Sequence, residues 1–515
     1  MPIRRVFEAY LEGHRDLRPF FESWPGDVFA NPPPRHSWWP GLAERLAKYQ
    51  EAIGNEIEWN PAEAVIITGQ QPALLGGPLY TVYKIATTVK LAGIVAHKHG
   101  IGYTPVFWLG ADDHDFDEAS TAHILTRNHE PLTLTYRPEQ DVIGLPMHRV
   151  PLEPSLHGLI DQAAEAATGS EFRDEIYSFL HSSLDKSSTF AEWSARIIAR
   201  LFQGTGLVQI ASNLQEARNA AKPVIEEEIR NPLVSTRLVN ETGQRLAELG
   251  FEQQIVKNEN ECGFFLEVDG RRRKVLFESG RFVVPANDRR YTQEELRGLL
   301  GESPERFSPN VALRCIVQQY LFPVQAYVAG PGEVSYWAQL KPLFEHFGIG
   351  MPAVYPRARC ILTNAKLNKL REKLRFDLNG ALLFPPEALV NDALRATTRN
   401  PATEAFRRHR NAIERVLADL ASELDKSPVP PSELASRIES DLDWYERSLL
   451  HVDEAQVEAT RRQVLRLCNT FAPWRKPQER VYTVFSYLFE HGWGLIPRII
   501  RDIDVESFGV DELEL

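Results

Sequence analysis

The chain has 515 residues, of which 43% are hydrophobic and 25% are charged, and its formal net charge at pH 7 is −12. This is the composition of a soluble globular protein, too long for one ordinary core, and we expect roughly three domain-sized units. The negative net charge argues against a nucleic-acid partner. The sequence shows no signal segment and no apolar run of about 18 residues, so we expect a cytoplasmic protein with no membrane span.

The first regular elements predict a βαβ unit. Ala64–Thr68 is a short apolar run typical of a buried strand, a helix follows from Pro78 to about His97, and Tyr103–Leu109 is a second apolar strand. A strand, a helix and a strand in this order form a parallel pair with a right-handed crossover. The sequence therefore predicts an α/β protein built on a parallel sheet.

A glycine-rich turn joins the first strand to its helix. Glycine lets a ligand approach the backbone closely, and a helix N-terminus offers unpaired N–H groups to an anion. The spacing is neither a P-loop nor G-x-G-x-x-G, so a structural turn is the alternative. Tyr80 and Lys84 share one helical face, although Lys84 alone is also typical of a surface lysine. The candidate ligand-binding residues here are Gly69, Gln70, Gln71, Gly76, Gly77, Tyr80 and Lys84.

An acidic run, Asp112–Glu118, follows the second strand and places five carboxylates around His114. Because buried like charges are costly, we expect this run at an open edge, where ligands bind in open α/β sheets. A histidine among carboxylates keeps its proton to higher pH and can serve in acid–base chemistry. The alternative is a solvated acidic loop. The candidate catalytic residues are His114, Asp113, Asp115 and Asp117.

The alternation of strands and helices is interrupted twice, at about 121–185 and 250–305. Between the interruptions lie a predicted helix, Phe190–Phe202, and a predicted strand, Leu207–Ile210. The second interruption is rich in β-like segments and contains the basic run Arg271–Lys274, which we interpret as a solvated hairpin tip. We therefore predict two insertions into the core.

A third candidate cluster surrounds the strand predicted at Pro323–Val328. Before it, Asn310 is typical of a helix start, and Arg314 could clamp a carboxylate or phosphate because its guanidinium is planar and always charged. After it, a glycine turn opens a helix predicted from Glu333 to about Phe347. Capping and packing are the alternative roles. The candidates are Asn310, Arg314, Gly330, Gly332, Glu333, Tyr336, Trp337 and Arg357.

The last third of the chain has a heptad pattern. Apolar residues from Phe406 to Leu424 form a seam with one charged position, Arg410, and a second amphipathic helix with Leu434, Val452 and Ala459 on one face is predicted to run about 35 residues. A proline-rich loop between them predicts an antiparallel coiled-coil hairpin that packs on the core or on a second subunit. Beyond it, Gln478, Glu479 and Arg480 are candidates for a nucleotide-binding or structural role.

Six strings occur in the order found in the bacillithiol-biosynthesis cysteine-adding enzymes, and the chain resembles that family over essentially its whole length. The strings are ITGQQPALLGGPLYTVYK, PVFWLGADDHDFDE, RFSPNVALR, AGPGEVSYWAQLK, MPAVYPRAR and PQER. The resemblance implies a Rossmann-like core similar to class I nucleotidylyltransferases, two connecting-peptide insertions, and a C-terminal coiled coil that pairs subunits into a homodimer. The implied segments are core at 1–120, 186–249 and 306–395, insertions at 121–185 and 250–305, coiled coil at 396–475, and C-terminal helices at 476–515.

The resemblance also implies a ligase that joins the carboxyl group of cysteine to the amine of glucosaminyl-malate, giving bacillithiol. We hypothesise that His114 accepts a proton from the sugar ammonium, while Asp113, Asp115 and Asp117 hold an ammonium group. The glycine turns and Arg314 would receive carboxylates or a phosphoryl group. ATP with Mg²⁺ is the expected cofactor if a nucleotide takes part, although the first helix starts without the His-x-x-His signature of class I nucleotide enzymes.

Two alternatives remain open at this point. One is a metal-dependent hydrolase or phosphotransferase that uses the acidic run as a cation cage. The other is a non-catalytic scaffold that binds ligand and recruits the true ligase through the coiled coil. The cysteines are widely separated and form no C-x-x-C pair, so neither a zinc site nor a disulfide framework is expected. They are Cys262, Cys315, Cys360 and Cys468.

Overall fold

The computed structural model describes residues 4–34, 36–58, 61, 64–167, 169–397, 401–424, 430–449 and 454–515. The chain forms two compact units. The core unit comprises 1–124, 132–361 and 482–513, and the helical unit comprises 125–131, 362–481 and 514–515.

A five-stranded parallel sheet lies at the centre of the core unit. In chain order its strands are Ala64–Gln70, Tyr103–Leu109, Val208–Ala211, Val324–Ala329 and Ala353–Pro356. In space the order is fifth, fourth, first, second, third. This is the order of a doubly wound, Rossmann-type sheet, which reverses between the first and the fourth strand. The predicted Rossmann-like parallel core is confirmed.

The strands are apolar because both faces of the sheet are covered. All seven residues of Tyr103–Leu109 are buried, and so are six of the seven residues of Ala64–Gln70. Continuous apolar runs of this kind are typical of parallel strands between two layers of helices. The helix Leu79–His99 packs against the sheet, and its Leu91 shares a buried cluster with Ile66 of the first strand.

Among the described residues, Leu79–His99 is the helix that is long and apolar enough to cross a membrane, with a mean hydropathy of 1.2. The expectation that the sequence contains no such stretch is wrong for this segment. The protein itself buries 67% of the apolar window. The apolar character of this helix is explained by its place in the core, where helices are hydrophobic on most sides.

One predicted helix is divided in the structure. The sequence predicts a single helix from Glu333 to about Phe347, and the structure has two, Pro331–Trp337 and Lys341–His346. Pro342 lies in the first turn of the second helix. Because proline has no N–H to donate, it is tolerated at a helix start and cannot continue the preceding helix.

A second, antiparallel sheet occupies the second predicted insertion. Its strands are Glu261–Val268, Arg271–Glu278, Arg281–Val284, Arg289–Tyr291 and Phe307–Pro309. The last strand in sequence pairs with the first, at one edge of the sheet. The β-rich region is thus present, and it continues past the predicted boundary at 305.

The prediction that the basic run Arg271–Lys274 is a solvated hairpin tip is wrong. Asp269 and Gly270 form the turn, with φ angles of 53° and 74°. The basic run instead begins the strand Arg271–Glu278. Because successive side chains of a strand point to opposite faces, Arg272 points away from the face of its two neighbours.

Further helices of the core unit connect the strands of the two sheets. They are Val6–Leu11, Leu42–Ile53, Phe116–Ala119, Ser155–Ala166, Arg173–Asp185, Phe190–Leu201, Gln215–Arg230, Val234–Glu248, Gln293–Glu302, Val311–Leu321, Phe485–His491 and Leu495–Asp502. Further short strands are Thr121–Leu125, Pro131–Thr135, Arg359–Thr363 and Val510–Glu514.

The helical unit contains a hairpin of two long helices, Pro401–Glu423 and Pro431–Leu449. At their seam Arg410 contacts Asp443 at 2.7 Å and Glu446 at 3.3 Å. Arg410 is the charged position of the predicted heptad seam, so this layer of the hairpin is closed by ion pairs. The other helices of the unit are Ala365–Leu374, Leu378–Leu383, Pro386–Thr397 and Glu454–Phe471.

The predicted length of about 35 residues for the second hairpin helix falls partly outside the described residues. Helix is described over Pro431–Leu449 and Glu454–Phe471, and residues 450–453 between them are not described. Val452, a predicted seam residue, lies outside the described residues. So do residues 425–429 of the predicted proline-rich loop.

Candidate active site at the carboxyl edge of the parallel sheet

Three predicted segments follow strands that end at one edge of the central sheet. The glycine-rich turn follows Gln70, the acidic run follows Leu109, and the second glycine turn follows Ala329. Because all five strands are parallel, these ends share the carboxyl edge. The strand order reverses between the strands that end at Gln70 and at Ala329, which is where ligands bind in doubly wound folds.

A buried ion pair lies at this reversal point. Lys84 is 1% exposed, and its Nζ is 2.7 Å from Glu333 Oε2. The same Nζ donates to the Gly69 carbonyl and, at 3.2 Å, to Gln70 Oε1. The Tyr327 hydroxyl donates to Glu333 Oε1 at 2.6 Å. Lys84 is therefore not the surface lysine of the alternative interpretation.

The ion pair keeps Glu333 ionised. Burial alone would raise the pKa of Glu333, but Lys84, Tyr327 and the Gly330 N–H outweigh burial and hold this pKa below its usual value. Burial also lowers the pKa of Lys84, an effect that Glu333 opposes. The negative charge of Glu333 is therefore paired directly with Lys84.

Two arginines lie beside this pair. Arg314 donates to Gln318 Oε1 at 2.6 Å and to the Tyr336 hydroxyl at 3.0 Å, and none of its hydrogen-bond partners among the described residues is an acid. Arg357 is 5% exposed, and its guanidinium lies 5.7 Å from the Tyr80 ring. Both arginines also act electrostatically on the lysine of the pair. Three cations thus surround one carboxylate, an arrangement that attracts an anionic ligand.

Gln70, Gln71 and Tyr80 lie together at the same place and are half-buried. Gln70 Nε2 donates to Gln71 Oε1 and is 3.5 Å from the Tyr80 hydroxyl. Because Lys84 also donates to Gln70, the two helical residues predicted to share one crevice do converge on one glutamine.

The glycines at 76 and 77 shape the turn rather than leaving a helix end open. Gly76 and Gly77 have φ angles of 73° and 79°, in the left-handed region that favours glycine. The N–H of Leu79, the first helical residue, donates to the Tyr482 carbonyl at 2.8 Å. The protein itself therefore uses part of the predicted anion-binding helix end.

The second glycine turn is also engaged internally. The Gly330 N–H donates to Glu333 Oε2 at 2.7 Å, so the helix end is capped by its own carboxylate. Gly332 is exposed in the first turn of that helix. Gly69 lies in the first strand, where a Cβ would approach the Trp108 carbonyl oxygen to 3.0 Å. The positive charge of this crevice therefore comes from side chains more than from backbone N–H groups.

The acidic run is not uniformly solvated, which corrects the prediction for its first member. Asp112 is 7% exposed, and its Oδ2 accepts from Arg218 Nη1 at 3.0 Å. Burial would raise the pKa of Asp112, but Arg218, Arg272 and His148 lower it below its usual value. Asp112 is thus a structural anchor whose burial is made tolerable by paired cations.

The other candidate acids lie nearer to solvent. Asp113 Oδ1 accepts from the backbone N–H of His114 at 2.7 Å and of Asp115 at 3.3 Å, which fixes the turn. Asp115 and Asp117 are exposed. These three carboxylates therefore form a negative rim in the loop after Leu109, the strand end that neighbours Gln70.

His114 is held by a cation, contrary to the sequence expectation. Its Nδ1 is 3.2 Å from Arg272 Nη1, and the nearest Asp113 oxygen is 3.9 Å from the same nitrogen. Burial and then Arg272 lower the pKa of His114, and they outweigh Asp113 and Asp115. The prediction that the carboxylates keep His114 protonated to higher pH is therefore wrong.

Arg272 is the site residue that the sequence reasoning missed. Its guanidinium donates to Ser308 Oγ and to the Pro309 carbonyl, both at 2.9 Å, and lies 3.7 Å from the Phe265 ring. The available signal was the strand period, because a basic run within a strand must divide its side chains between two faces.

Several other candidates have structural roles. Asn310 caps a helix by accepting from the N–H groups of Ala312 and Leu313 at 3.1 Å and 3.0 Å. Trp337 is 1% exposed and its ring stacks on Phe344, so its side chain belongs to the core rather than to the crevice surface.

The three candidates from the PQER string belong to the helical unit. Gln478 accepts from the Leu362 N–H at 2.8 Å and donates to the Leu362 and Thr470 carbonyls, both at 3.0 Å. Glu479 is buried and Arg480 is exposed. The contacts of Gln478 favour the structural interpretation.

Within the described parts of the chain, no three His, Cys, Asp or Glu side chains lie close enough together to hold a metal ion. The acidic run does not form a cage, because Asp112 points to Arg218 while Asp115 and Asp117 are exposed. All four cysteines are buried. For a phosphate-bearing cofactor, the cations of the crevice are a suitable donor set.

These observations define a Rossmann-type α/β protein with an anion-attracting crevice at the carboxyl edge of its parallel sheet and an imidazole in the loop after a neighbouring strand. The chain belongs to the BshC family. Residues 4–358 match the model described as "Bacillithiol biosynthesis BshC, N-terminal Rossmann-like domain". Residues 360–511 match "Bacillithiol biosynthesis BshC, C-terminal coiled-coil domain". The family suggested by the sequence strings is therefore confirmed.

Curated relatives agree with this assignment. Proteins named "Putative cysteine ligase BshC" from Salinibacter ruber and Symbiobacterium thermophilum are each 30% identical, over 88% and 90% of this chain and 83% and 88% of their own lengths. The protein of that name from Geobacillus thermodenitrificans is also 30% identical, over 89% of this chain and 87% of its own. A solved structure from Campylobacter jejuni is titled as a putative arginyl-tRNA synthetase, and the match covers 86% of this chain and 97% of that chain. Its TM-score is 0.24 at 10% sequence identity, which is too low to show a shared fold.

Proposed function

We propose that this protein is a ligase of bacillithiol biosynthesis that joins the carboxyl group of L-cysteine to the amine of glucosaminyl-malate. Family membership and the names of the relatives support the reaction. The observation that carries the proposal is the crevice itself, where Lys84, Arg314 and Arg357 surround one carboxylate, Glu333. Both substrates bear carboxylates, which such a cationic crevice would hold.

The two sides of the site suit the two charges of the substrates. Malate carboxylates, or the carboxylate of cysteine, would pair with Arg314 and Arg357. The ammonium group of either substrate would be attracted by the rim of Asp113, Asp115 and Asp117. His114 lies in the same loop as this rim, and in the proposed reaction it would contact the reacting groups. Close placement of amine and carboxyl group is itself a large part of catalysis.

ATP is the proposed activator, since forming an amide from a free carboxylate in water requires activation. When bound, it would supply a phosphate-based leaving group for the cysteine carboxylate. Arg314 and Arg357 are the residues that would hold its phosphates. The exposed Asp115 and Asp117 are the carboxylates available to an accompanying Mg²⁺.

We also propose a cytoplasmic homodimer that pairs through the coiled-coil hairpin. Several large apolar side chains on the hairpin helices are exposed, among them Val416 at 64% and Trp444 at 63%. Exposed apolar side chains on a predicted coiled coil favour a protein partner, and a second copy of the same chain is the simplest one.

The proposed reaction is tested with purified protein, cysteine, glucosaminyl-malate, ATP and Mg²⁺. The expected product is a thiol whose mass is the sum of both substrates less one water, detected after alkylation. The same chain is also supplied to a strain that lacks its own cysteine-adding enzyme. Thiol in the strain but not in the purified reaction would favour the scaffold alternative. No thiol in either experiment would refute the proposed function.

A further inference from the structure

The contact between Arg272 and His114 bears on the protonation state of the histidine. We infer that Arg272 is a positioning residue that holds His114 as a neutral imidazole with its proton on Nε2, so that His114 donates a hydrogen bond and does not accept the amine proton. This refines the proposed function, in which His114 touches the reacting groups. It also replaces the role of base that the sequence suggested.

The direction of the contact follows from the chemistry of the two groups. A guanidinium carries donors only, so Arg272 Nη1, at 3.2 Å from His114 Nδ1, must donate to that nitrogen. Nδ1 therefore presents its lone pair. A neutral imidazole carries one N–H, and that N–H is then on Nε2.

The arginine cannot readily turn away from this nitrogen. Its Nε and Nη2 donate to Ser308 and Pro309, and its plane stacks on Phe265. Phe265 also contacts the His114 ring edge-on, with 5.5 Å between ring centroids. Arg272 and His114 are thus held together against Phe265 of the antiparallel sheet.

The charges that face His114 come from two elements. Asp113 and Asp115 in its own loop favour the protonated ring, whereas Arg272 and Lys274 on the strand Arg271–Glu278 oppose it. A proton on Nδ1 would place an N–H against the Arg272 N–H, and protonation of both ring nitrogens would also add a second positive charge there. Burial acts in the same direction as the two cations, so the neutral form prevails.

Nε2 is available to a ligand. No hydrogen-bond partner of His114 Nε2 occurs among the described residues. Nε2 is also absent from the set of fully buried side-chain atoms without a partner, so its lack of a partner is not explained by burial. The side chain is 33% exposed. A neutral imidazole that donates through Nε2 is a known device for polarising a carbonyl group.

In the proposed reaction this donor acts on the acyl oxygen. The amine lone pair forms the new C–N bond to an ATP-activated cysteine acyl group, and the carbonyl π pair moves to oxygen, where Nε2–H hydrogen-bonds to it. The pair then returns to carbon as the phosphate-class leaving group departs with its bonding electrons. The amine proton goes to an aspartate of the rim or to water, and His114 keeps its own proton.

The first experiment distinguishes a His114 that donates a hydrogen bond from a His114 that accepts the amine proton. A glutamine amide can replace an Nε2–H donor but is no base, so His114→Gln should keep at least tenfold more activity than His114→Ala. Removing one such donor costs about 10²–10³ in rate, which is the loss expected for His114→Ala. Equal loss in both variants would overturn the inference.

A spectroscopic measurement tests the tautomer without any substrate. In ¹⁵N-histidine NMR, the His114 signals are identified by their absence in His114→Gln. We expect protonated Nε2 and unprotonated Nδ1 in the wild type at pH 7, and loss of this preference in Arg272→Met. Protonated Nδ1 in the wild type would refute the inference even if that variant did not fold. Because the spectrum needs no reaction, failure of the proposed function would be recognised separately.

Discussion

The cationic crevice and the acidic run lie on neighbouring strand ends but are built in opposite ways. In the crevice, Lys84 and Glu333 are paired with each other and fixed by hydrogen bonds to Gly69 and Tyr327. In the acidic run, Asp112 has a buried arginine partner, while Asp115 and Asp117 face solvent. The comparison shows that charged residues in a sequence can form a buried, paired anchor or an exposed carboxylate surface, depending on the residues that pack around them.

The largest expected effect is on stability, and it separates the buried Asp112 from the exposed Asp117 within the acidic run. Asp112→Ala leaves Arg218 buried without its partner, and breaking a buried pair costs about 3–5 kcal/mol of unfolding free energy. Asp117→Ala, the matched exposed control, should change stability by less than about 0.5 kcal/mol. Urea unfolding of both variants measures the difference. Similar values for the two would contradict the assignment of Asp112 as an anchor.

The next effect tests the crevice. Arg314 has no acidic hydrogen-bond partner in the described parts of the chain. Arg314→Met should therefore fold normally and lose about 100-fold in product formation, as expected when a charge-assisted substrate contact is removed. Arg237 is exposed, and Arg237→Met serves as the control. Rates and circular dichroism are measured on both variants. An active Arg314→Met protein would remove this arginine from the site.

A third prediction concerns the hairpin. Trp444→Glu should weaken the proposed dimer by about 2 kcal/mol, because buried tryptophans are frequent hot spots of interfaces. Analytical ultracentrifugation over a dilution series measures the dissociation constant, and the control is Ser432→Glu, which makes the same charge change at an exposed position of the same helix. If wild type and Trp444→Glu are both monomeric, the coiled coil does not pair subunits.

The smallest effect is the pH dependence of the anchor. Because the pKa of Asp112 is lower in the folded protein than in the unfolded chain, its stabilising contribution is complete above the unfolded value of about 4. This contribution is lost as pH falls through the folded pKa. The unfolding free energy of the wild type should therefore decrease in acid more steeply than that of Asp112→Asn. Parallel curves between about pH 3 and pH 6 would contradict this prediction.

The same comparison shows how far sequence reasoning reaches at the site. The convergence of Tyr80 and Lys84 on one crevice follows from helical spacing and was predictable. The pairing of Asp112 with Arg218 joins residues that are 106 positions apart, and no local pattern encodes it. The reversed pKa direction of His114 has the same origin, since its cation comes from the second insertion.

The sequence by itself determined the local secondary structure and the family to which the chain belongs. Apolar runs and periodicity specify the strands Ala64–Gln70 and Tyr103–Leu109, the helices and the heptad hairpin, and the ordered strings specify the BshC family. Tertiary structure alone decided which charges meet. A side chain's protonation and role depend on neighbours brought by other elements. Arg272 therefore changed from a presumed surface residue into the partner of His114 only when the antiparallel sheet was folded against the acidic loop.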